Sequence, residues 1–187
     1  MTLYSPDYPQ SLVGFEGSVC FPYLDSRGNV TIGCGHMVPY VAEFMSLPWG
    51  VAFSPDTVRD GWDDLKAADP GMPVNSYLNI TPLSISVKAI LTLLDSDLAE
   101  VCNQLVATWP WIADRPQGPR NAMIDMAFNL GINGLKKYTK FLAFMYAANW
   151  GMAAYECHRN GIQPSRNDWT RAQILGSVPK VPRGAVE

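Results

Sequence analysis

Histidine is scarce in this chain and cysteine is never clustered: among 187 residues there are two histidines, His36 and His158, and four cysteines, Cys20, Cys34, Cys102 and Cys157, with no CxxC pair. Structural zinc and dithiol redox chemistry need such ligands at short spacing, so neither is expected, nor any other metal or cofactor. Long apolar runs are missing as well; stretches such as Phe141–Met145 fall far short of the roughly 18 residues that cross a bilayer. The opening residues, Met1–Gln10, lack a basic start and an apolar run, so the expectation is synthesis in the cytoplasm without a classical signal peptide, and no stable membrane insertion. Positive charge is in deficit, with 14 Lys and Arg against 17 Asp and Glu and a net charge of −3, which removes the electrostatic case for a nucleic-acid partner. Glycine and proline, 15 of each, fall in short scattered clusters that punctuate turns, and no repeat or low-complexity tract is present.

Apolar material for a core is plentiful. At 48% hydrophobic and 17% charged residues the expectation is a single globular domain in two lobes, acting as a monomer. The thiols are expected to be free and mostly buried in a reducing compartment, with Cys20 and Cys34, in neighbouring strands, able to pair after export if geometry allows. Lys136, Lys137 and Lys140 read as a solvated helix face that also supplies some local attraction for an anionic surface.

Leu12, Val13 and Phe15 share one face of a short helix over Tyr8–Phe15, which Glu16-Gly17 would end. From Cys20 the texture changes to two extended runs around the Gly-containing turn at Ser26–Asn29, predicting a β-hairpin over residues 20–36. Alternation on its return strand puts Val30, Ile32 and Cys34 on one face and Thr31, Gly33 and Gly35 on the other. That second face has a hydroxyl and no bulk, so a ligand ring could approach its backbone. Ser54-Pro55 reads as an N-cap and first-turn proline opening a helix to about Ala68. Thr81-Pro82 repeats the signal before a run of apolar residues at helical spacing from Leu83 to Leu105, predicting a long helix over about 82–107. After a turn-rich break at Trp109–Pro119, Arg120–Leu130 is apolar nearly all round and predicts a buried central helix. Further helices are expected at about 137–149, 151–159 and 167–175, with a mobile tail over 176–187. The class is α+β: a small N-terminal lobe over about 1–80 bearing the hairpin, a long connecting helix, and a larger helical lobe over about 108–175, with a cleft able to take a polymer.

Two acidic residues suit a paired role. Glu16 follows Phe15 at the rim of an apolar segment, where partial desolvation would keep a carboxyl protonated; Asp25 lies at the hairpin turn, where solvent keeps it ionised. Thr31 across the hairpin offers a hydroxyl for a water beside Asp25. Hydrolysis of a glycosidic bond needs such a proton donor and such a water-directing carboxylate. Singly, a glutamate before glycine is an ordinary helix end, and Asp-Ser-Arg-Gly an ordinary turn.

In combination, Glu16-Gly17, Asp25, Gly28 and Thr31-Ile-Gly-Cys-Gly-His36 resemble the active-site segment of the phage-type lysozyme (endolysin) family, glycoside hydrolase family twenty-four. The resemblance resumes at Arg120-Asn-Ala-Met-Ile-Asp-Met-Ala-Phe-Asn-Leu-Gly131, which looks like the buried central helix and glycine stop of the T-even phage lysozymes. It continues more weakly through Gly134, Tyr138, Leu142, Trp150, Ala153-Ala154 and Pro164-Ser-Arg166, so that it covers most of the chain.

What the resemblance implies is a two-lobed lysozyme fold and hydrolysis, with inversion, of the β-1,4 bond between N-acetylmuramic acid and N-acetylglucosamine in the peptidoglycan glycan strand. Glu16 takes the acid position, Asp25 the second carboxylate and Thr31 the water-holding hydroxyl, while Met37, Phe128 and Asn129 fall where the family lines its cleft. His36 is read as a brace for the hairpin against Asp97, and Phe128 equally as core. Phe141 and Glu156 depart from the small or amide residues common at their positions, and residues 45–80 are longer than the family stretch, a candidate flap or docking surface with exposed-looking Trp49 and Trp62. The expected place of action is peptidoglycan in the periplasm or cell wall. Two other readings fit the same residues: an antibacterial effector held in check by an immunity or inhibitor protein, and a peptidoglycan-binding module without activity.

Overall fold

The computed structural model describes residues 3–50 and 53–176. The fold is α+β, with a small three-stranded antiparallel sheet near the N-terminus and eight α-helices among the described residues. It divides into two compact units, Pro9–Asp97 and a second made of Met1–Tyr8 with Leu98–Glu187. The first residues were expected to belong to the hairpin lobe. They join the helical unit because Tyr8, wholly buried, stacks on Trp169 with ring centroids 5.6 Å apart, and the Ser5 amide donates to Asn121 Oδ1 at 3.0 Å.

In the sheet-bearing unit, α1 (Tyr8–Glu16) leads to β1 (Val19–Leu24), β2 (Val30–Gly33) and β3 (His36–Val38), in spatial order β1-β2-β3. The expected hairpin is present. The third strand was not foreseen: Gly33, at φ 67°, and Gly35, at φ 84°, fold the chain back so that Val30, Thr31 and Ile32 also pair with Val38, Met37 and His36. As the central strand, β2 is buried on both faces. The bare face expected at Gly33 is filled, since a Cβ there would meet Ile90 Cγ2 at 3.3 Å; only Gly35 is open.

Helices α2 (Val41–Ser46) and α3 (Pro55–Ala67) follow. Ser54 caps α3 as its sequence requires, accepting from the Thr57 amide at 3.1 Å. Trp49 and Trp62 are half-buried and not exposed: both pack on the fully buried Phe44, at 4.8 and 5.3 Å between centroids. Tyr77 lies buried 6.4 Å from the Tyr23 ring, and Lys66 Nζ donates to Gly28 O at 2.9 Å. Residues 45–80 are therefore welded to the sheet and supply part of its core. At Gly61 any side chain would collide with Leu83 Cδ1 at 2.6 Å, so α3 approaches its neighbour closer than alanine permits.

The long helix α4 (Val87–Thr108) starts five residues later than Thr81-Pro82 suggested. The Ile85 amide is held by Cys20 O at 2.8 Å, Thr81 Oγ1 accepts from the Leu83 amide, and Ser86 provides the cap, accepting from the Ala89 amide at 3.2 Å. None of the described helices is long and apolar enough to cross a membrane.

In the helical unit, α5 (Gln117–Leu135) is broken at Gly131, whose φ of 67° and ψ of 165° are not helical, so the glycine stop falls where the sequence placed it. Asn121 through Ala127 are all buried in this central helix. The remaining helices are α6 (Thr139–Tyr146), α7 (Trp150–Glu156) and α8 (Pro164–Leu175). Helix α8 begins three residues earlier than expected, at Pro164, a first-turn position that suits proline. The expected tail from Gly176 lies, beyond that residue, outside the described residues.

Candidate active site

Glu16 is the last residue of α1, and its place follows from the glycine behind it. Gly17 takes φ 75° and returns its amide to Val13 O at 3.0 Å, which ends the helix and releases the chain towards β1. Phe15 is half-buried, but Glu16 itself is exposed. Its apolar neighbour does not bury it, because the apolar face of α1 turns inward at Tyr8 and Leu12, both wholly buried, and leaves the final residue outside.

Asp25 organises the turn between β1 and β2. Its Oδ1 accepts from the amides of Arg27 and Asn29, both at 2.8 Å, and its Oδ2 accepts from Asn29 Nδ2 at 2.9 Å. The backbone closes the same loop: the Asp25 amide donates to Asn29 O and the Gly28 amide to Asp25 O, each at 3.0 Å. Partial desolvation pushes the carboxyl up, yet the Asn29 side chain, the two amides and the Arg27 charge outweigh it and hold Asp25 below its ordinary value. The expectation of an ionised carboxylate at this turn holds, although donated hydrogen bonds, more than solvent, produce it.

Tyr23 ties the two carboxylates together. Its phenol is pushed up by burial first, then by the negative charges of Glu16 and Asp25. Glu16 also helps burial raise the Cys34 thiol. Glu16 precedes β1 and Asp25 follows it, and Tyr23, on that strand, lies within electrostatic reach of both. Tyr23 sits two residues before Asp25 on the outgoing strand, and sequence reasoning passed over it.

Thr31 pairs with Tyr23 on one side and Met37 on the other. It is only 5% exposed, and its hydroxyl donates to Asn29 O at 3.3 Å. The side chain thus reaches Asp25 through Asn29, the residue that donates two of the three hydrogen bonds to the carboxylate. Met37 is 52% exposed.

His36 braces the hairpin as expected. Nδ1 meets the Asp97 carboxylate at 2.9 and 3.0 Å, and Nε2 lies 3.7 Å from Glu43 Oε1. The hydrogen bond to Asp97 raises the imidazole, burial opposes it, and the charges of Asp97 and Glu43 add to the rise. With both ring nitrogens facing structural carboxylates, His36 is a brace.

Phe128 and Asn129 belong to the helical unit, on α5, and both are half-buried. Asn129 Oδ1 lies 3.5 Å from Arg159 Nη1, at the margin of a buried ionic core. There Asp125, with no exposed surface, takes Arg159 Nη2 at 2.6 Å, Arg166 Nε at 2.9 Å and the Thr170 hydroxyl at 2.8 Å. Asp125 and the groups it holds are structural.

All four cysteines are free thiols, with Cys20 exposed, Cys34 and Cys157 buried and Cys102 between. Burial lifts Cys102 to about 11. No cluster of metal-ligating side chains occurs among the described residues. Comparison with known proteins finds no family model that matches the chain and no curated protein that resembles it.

Proposed function

We propose that the chain is a peptidoglycan hydrolase, a cofactor-free muramidase that cleaves the β-1,4 bond between N-acetylmuramic acid and N-acetylglucosamine. The observation that supports the reading is a pair of unlike carboxylates flanking β1: Glu16 exposed at the end of α1, and Asp25 taking three donated hydrogen bonds within its turn. Glu16, carrying the proton, delivers it to the leaving oxygen; Asp25 orients a water for attack on the sugar carbon, and that water's proton passes to Asp25. A saccharide lying over the exposed Glu16 would shield it from water. Inversion requires room for the water, which sets the carboxyl separation at roughly 6.5–9.5 Å. Thr31 acts by fixing Asn29 and thereby Asp25. Met37, with its exposed thioether, is a saccharide contact; Phe128 and Asn129 enter that role through the family resemblance.

The test compares the unmodified chain with Glu16→Gln on purified peptidoglycan and on permeabilised Gram-negative cells, following turbidity. A loss of about a hundredfold is expected, typical of a general acid, with thermal stability unchanged because Glu16 is exposed. Equal lysis by both proteins removes Glu16 from the mechanism, and tight binding without cleavage by the unmodified chain leaves a glycan-binding module.

A further inference from the structure

The chain's acidic excess belongs to the sheet-bearing unit, whereas in the helical unit Lys and Arg outnumber Asp and Glu. There a cavity of about 330 Å³ is lined by Lys137, Tyr138, Lys140, Phe141, Glu156 and His158, among others. Lys137 and Tyr138 come from the bend before α6, Lys140 and Phe141 from its first turn, Glu156 from the end of α7 and His158 from just beyond it. Of the three clustered lysines only these two reach the cavity, since Lys136 is not on its lining. Phe141 and Glu156, the two departures from the family pattern, are both on it, and the buried Phe141 gives it an apolar wall.

The lining carries charges of both signs, and they do not neutralise one another. Among the described residues, Lys137, Lys140, Glu156 and His158 have no ion-pair or hydrogen-bond partner. In the same unit Arg159 and Arg166 are answered by Asp125, so the helical unit pairs its interior charges and leaves those of the cavity to the outside. No side chain caps α6, and the amides of its first turn add to the positive charge around Lys137 and Lys140. Three basic side chains and one carboxylate therefore share one cavity unpaired, and a ligand that brought the missing partners would gain charge-assisted hydrogen bonds to each.

The mixture of signs decides which ligand fits. A simple oxyanion suits the lysines and His158 but meets Glu156 with like charge, and a simple amine suits Glu156 but meets two ammonium groups. A group with a carboxylate and an ammonium a few bonds apart satisfies both, and Tyr138 and Phe141 offer surface to its carbon chain. We infer that this cavity binds the zwitterionic end of an α-amino acid, with its carboxylate at Lys137, Lys140 and His158 and its ammonium at Glu156. A free amino acid and the unlinked end of a diamino acid within a peptide both present that group. Nothing in this recognition depends on wall cleavage.

The probe is meso-diaminopimelate, a zwitterion at each end of a short carbon chain, titrated into the full chain while NMR follows the backbone amides of Thr139 and Lys140. Those signals should shift. Pimelate, which lacks the amines, and 1,5-diaminopentane, which lacks the carboxylates, should each bind at least about tenfold more weakly. Lys137→Gln should weaken diaminopimelate and pimelate alike, by about tenfold, whereas Glu156→Gln should weaken diaminopimelate by a similar factor and leave pimelate unchanged or tighter. Neither side chain has a protein partner, so both variants should fold, and thermal unfolding checks that they do. Glu16→Gln should leave the binding untouched, so the site stands or falls separately from the hydrolase reading. No shift at millimolar diaminopimelate, or binding indifferent to both Lys137 and Glu156, overturns the site. Pimelate binding as tightly as diaminopimelate overturns the zwitterion and leaves a plain anion site. A further arm separates the two sources: about tenfold tighter binding of a peptide ending in diaminopimelate supports a peptide-borne group, and no gain over the free compound supports a free amino acid.

Discussion

Asp25 and Asp125 are the same side chain put to opposite uses. Asp125, in the helical unit, is wholly buried and its charge is answered by two guanidinium groups and a hydroxyl. Asp25, in the sheet-bearing unit, is half-buried and hydrogen-bonded by amides that carry no formal charge, with the Arg27 charge adding to their effect. A carboxylate neutralised in the interior can only hold structure, while one kept ionised by dipoles at an accessible turn can still act on a water or a neighbouring sugar. The largest effect that sharpens this contrast is Asp125→Ala. It strands Arg159 and Arg166 without their partner and should cost about 3–5 kcal/mol in urea unfolding. A loss below about 1 kcal/mol would mean the two arginines find other partners and the contrast is overdrawn.

Asp25→Asn comes next. Asparagine can still accept from the Arg27 and Asn29 amides, but its new NH2 would face the Asn29 side-chain amide, donor against donor, and it loses the charge. Wall cleavage should fall by about a hundredfold or more with a stability loss of only about 1 kcal/mol, the reverse of Asp125→Ala. Since the folded carboxyl lies below its ordinary value, the stability it contributes is complete above the unfolded aspartate range and disappears as pH falls through the lowered folded value. The unmodified chain should therefore keep an acid limb of its pH–rate profile below the usual carboxylate range, and a limb at the ordinary value would show that substrate undoes the turn.

Local signals were legible in the sequence wherever one residue decides the backbone. Gly17 ends α1, Ser54-Pro55 opens α3 and Gly131 breaks α5, all at the predicted places. The His36 brace to Asp97 was legible too, because an imidazole at a hairpin edge needs a partner. Failures came where tertiary hydrogen bonds competed with propensity. Thr81-Pro82 carries a helix-start signature, but Ile85 pairs with Cys20 and delays α4 to Val87. Trp49 and Trp62 look exposed only until Phe44 is known to pack between them. At the site, residue types were readable and the wiring was not. Nothing in Gly28-Asn29-Val30-Thr31 announces that Thr31 reaches Asp25 through Asn29, or that Tyr23 stands in the field of both carboxylates.

His36 tests whether the sheet-bearing unit has an ionic anchor of its own. Its folded value is raised by Asp97, so the stabilisation is fully present below the unfolded histidine range near 6.5 and is lost as pH rises through the raised value. Asp97→Asn should cost about 1.5–3 kcal/mol at pH 5 and progressively less towards alkaline pH, read as the shift in urea midpoint. A pH-independent loss would reduce the contact to a neutral hydrogen bond.

The smallest effect probes the buried side of the contrast. Tyr8 is wholly buried against Trp169, with its hydroxyl unpaired by any protein group and its phenol pushed well up by burial and by Asp125. If that hydroxyl is truly unanswered, Tyr8→Phe removes a desolvated polar group while keeping the stacked ring, and stability should stay level or rise by up to about 1 kcal/mol. A loss of about 1–3 kcal/mol would instead reveal a buried water completing the network around Asp125. In that case the Tyr8 hydroxyl is answered as the Asp25 carboxylate is, and what separates the two aspartates is how directly their charge is compensated.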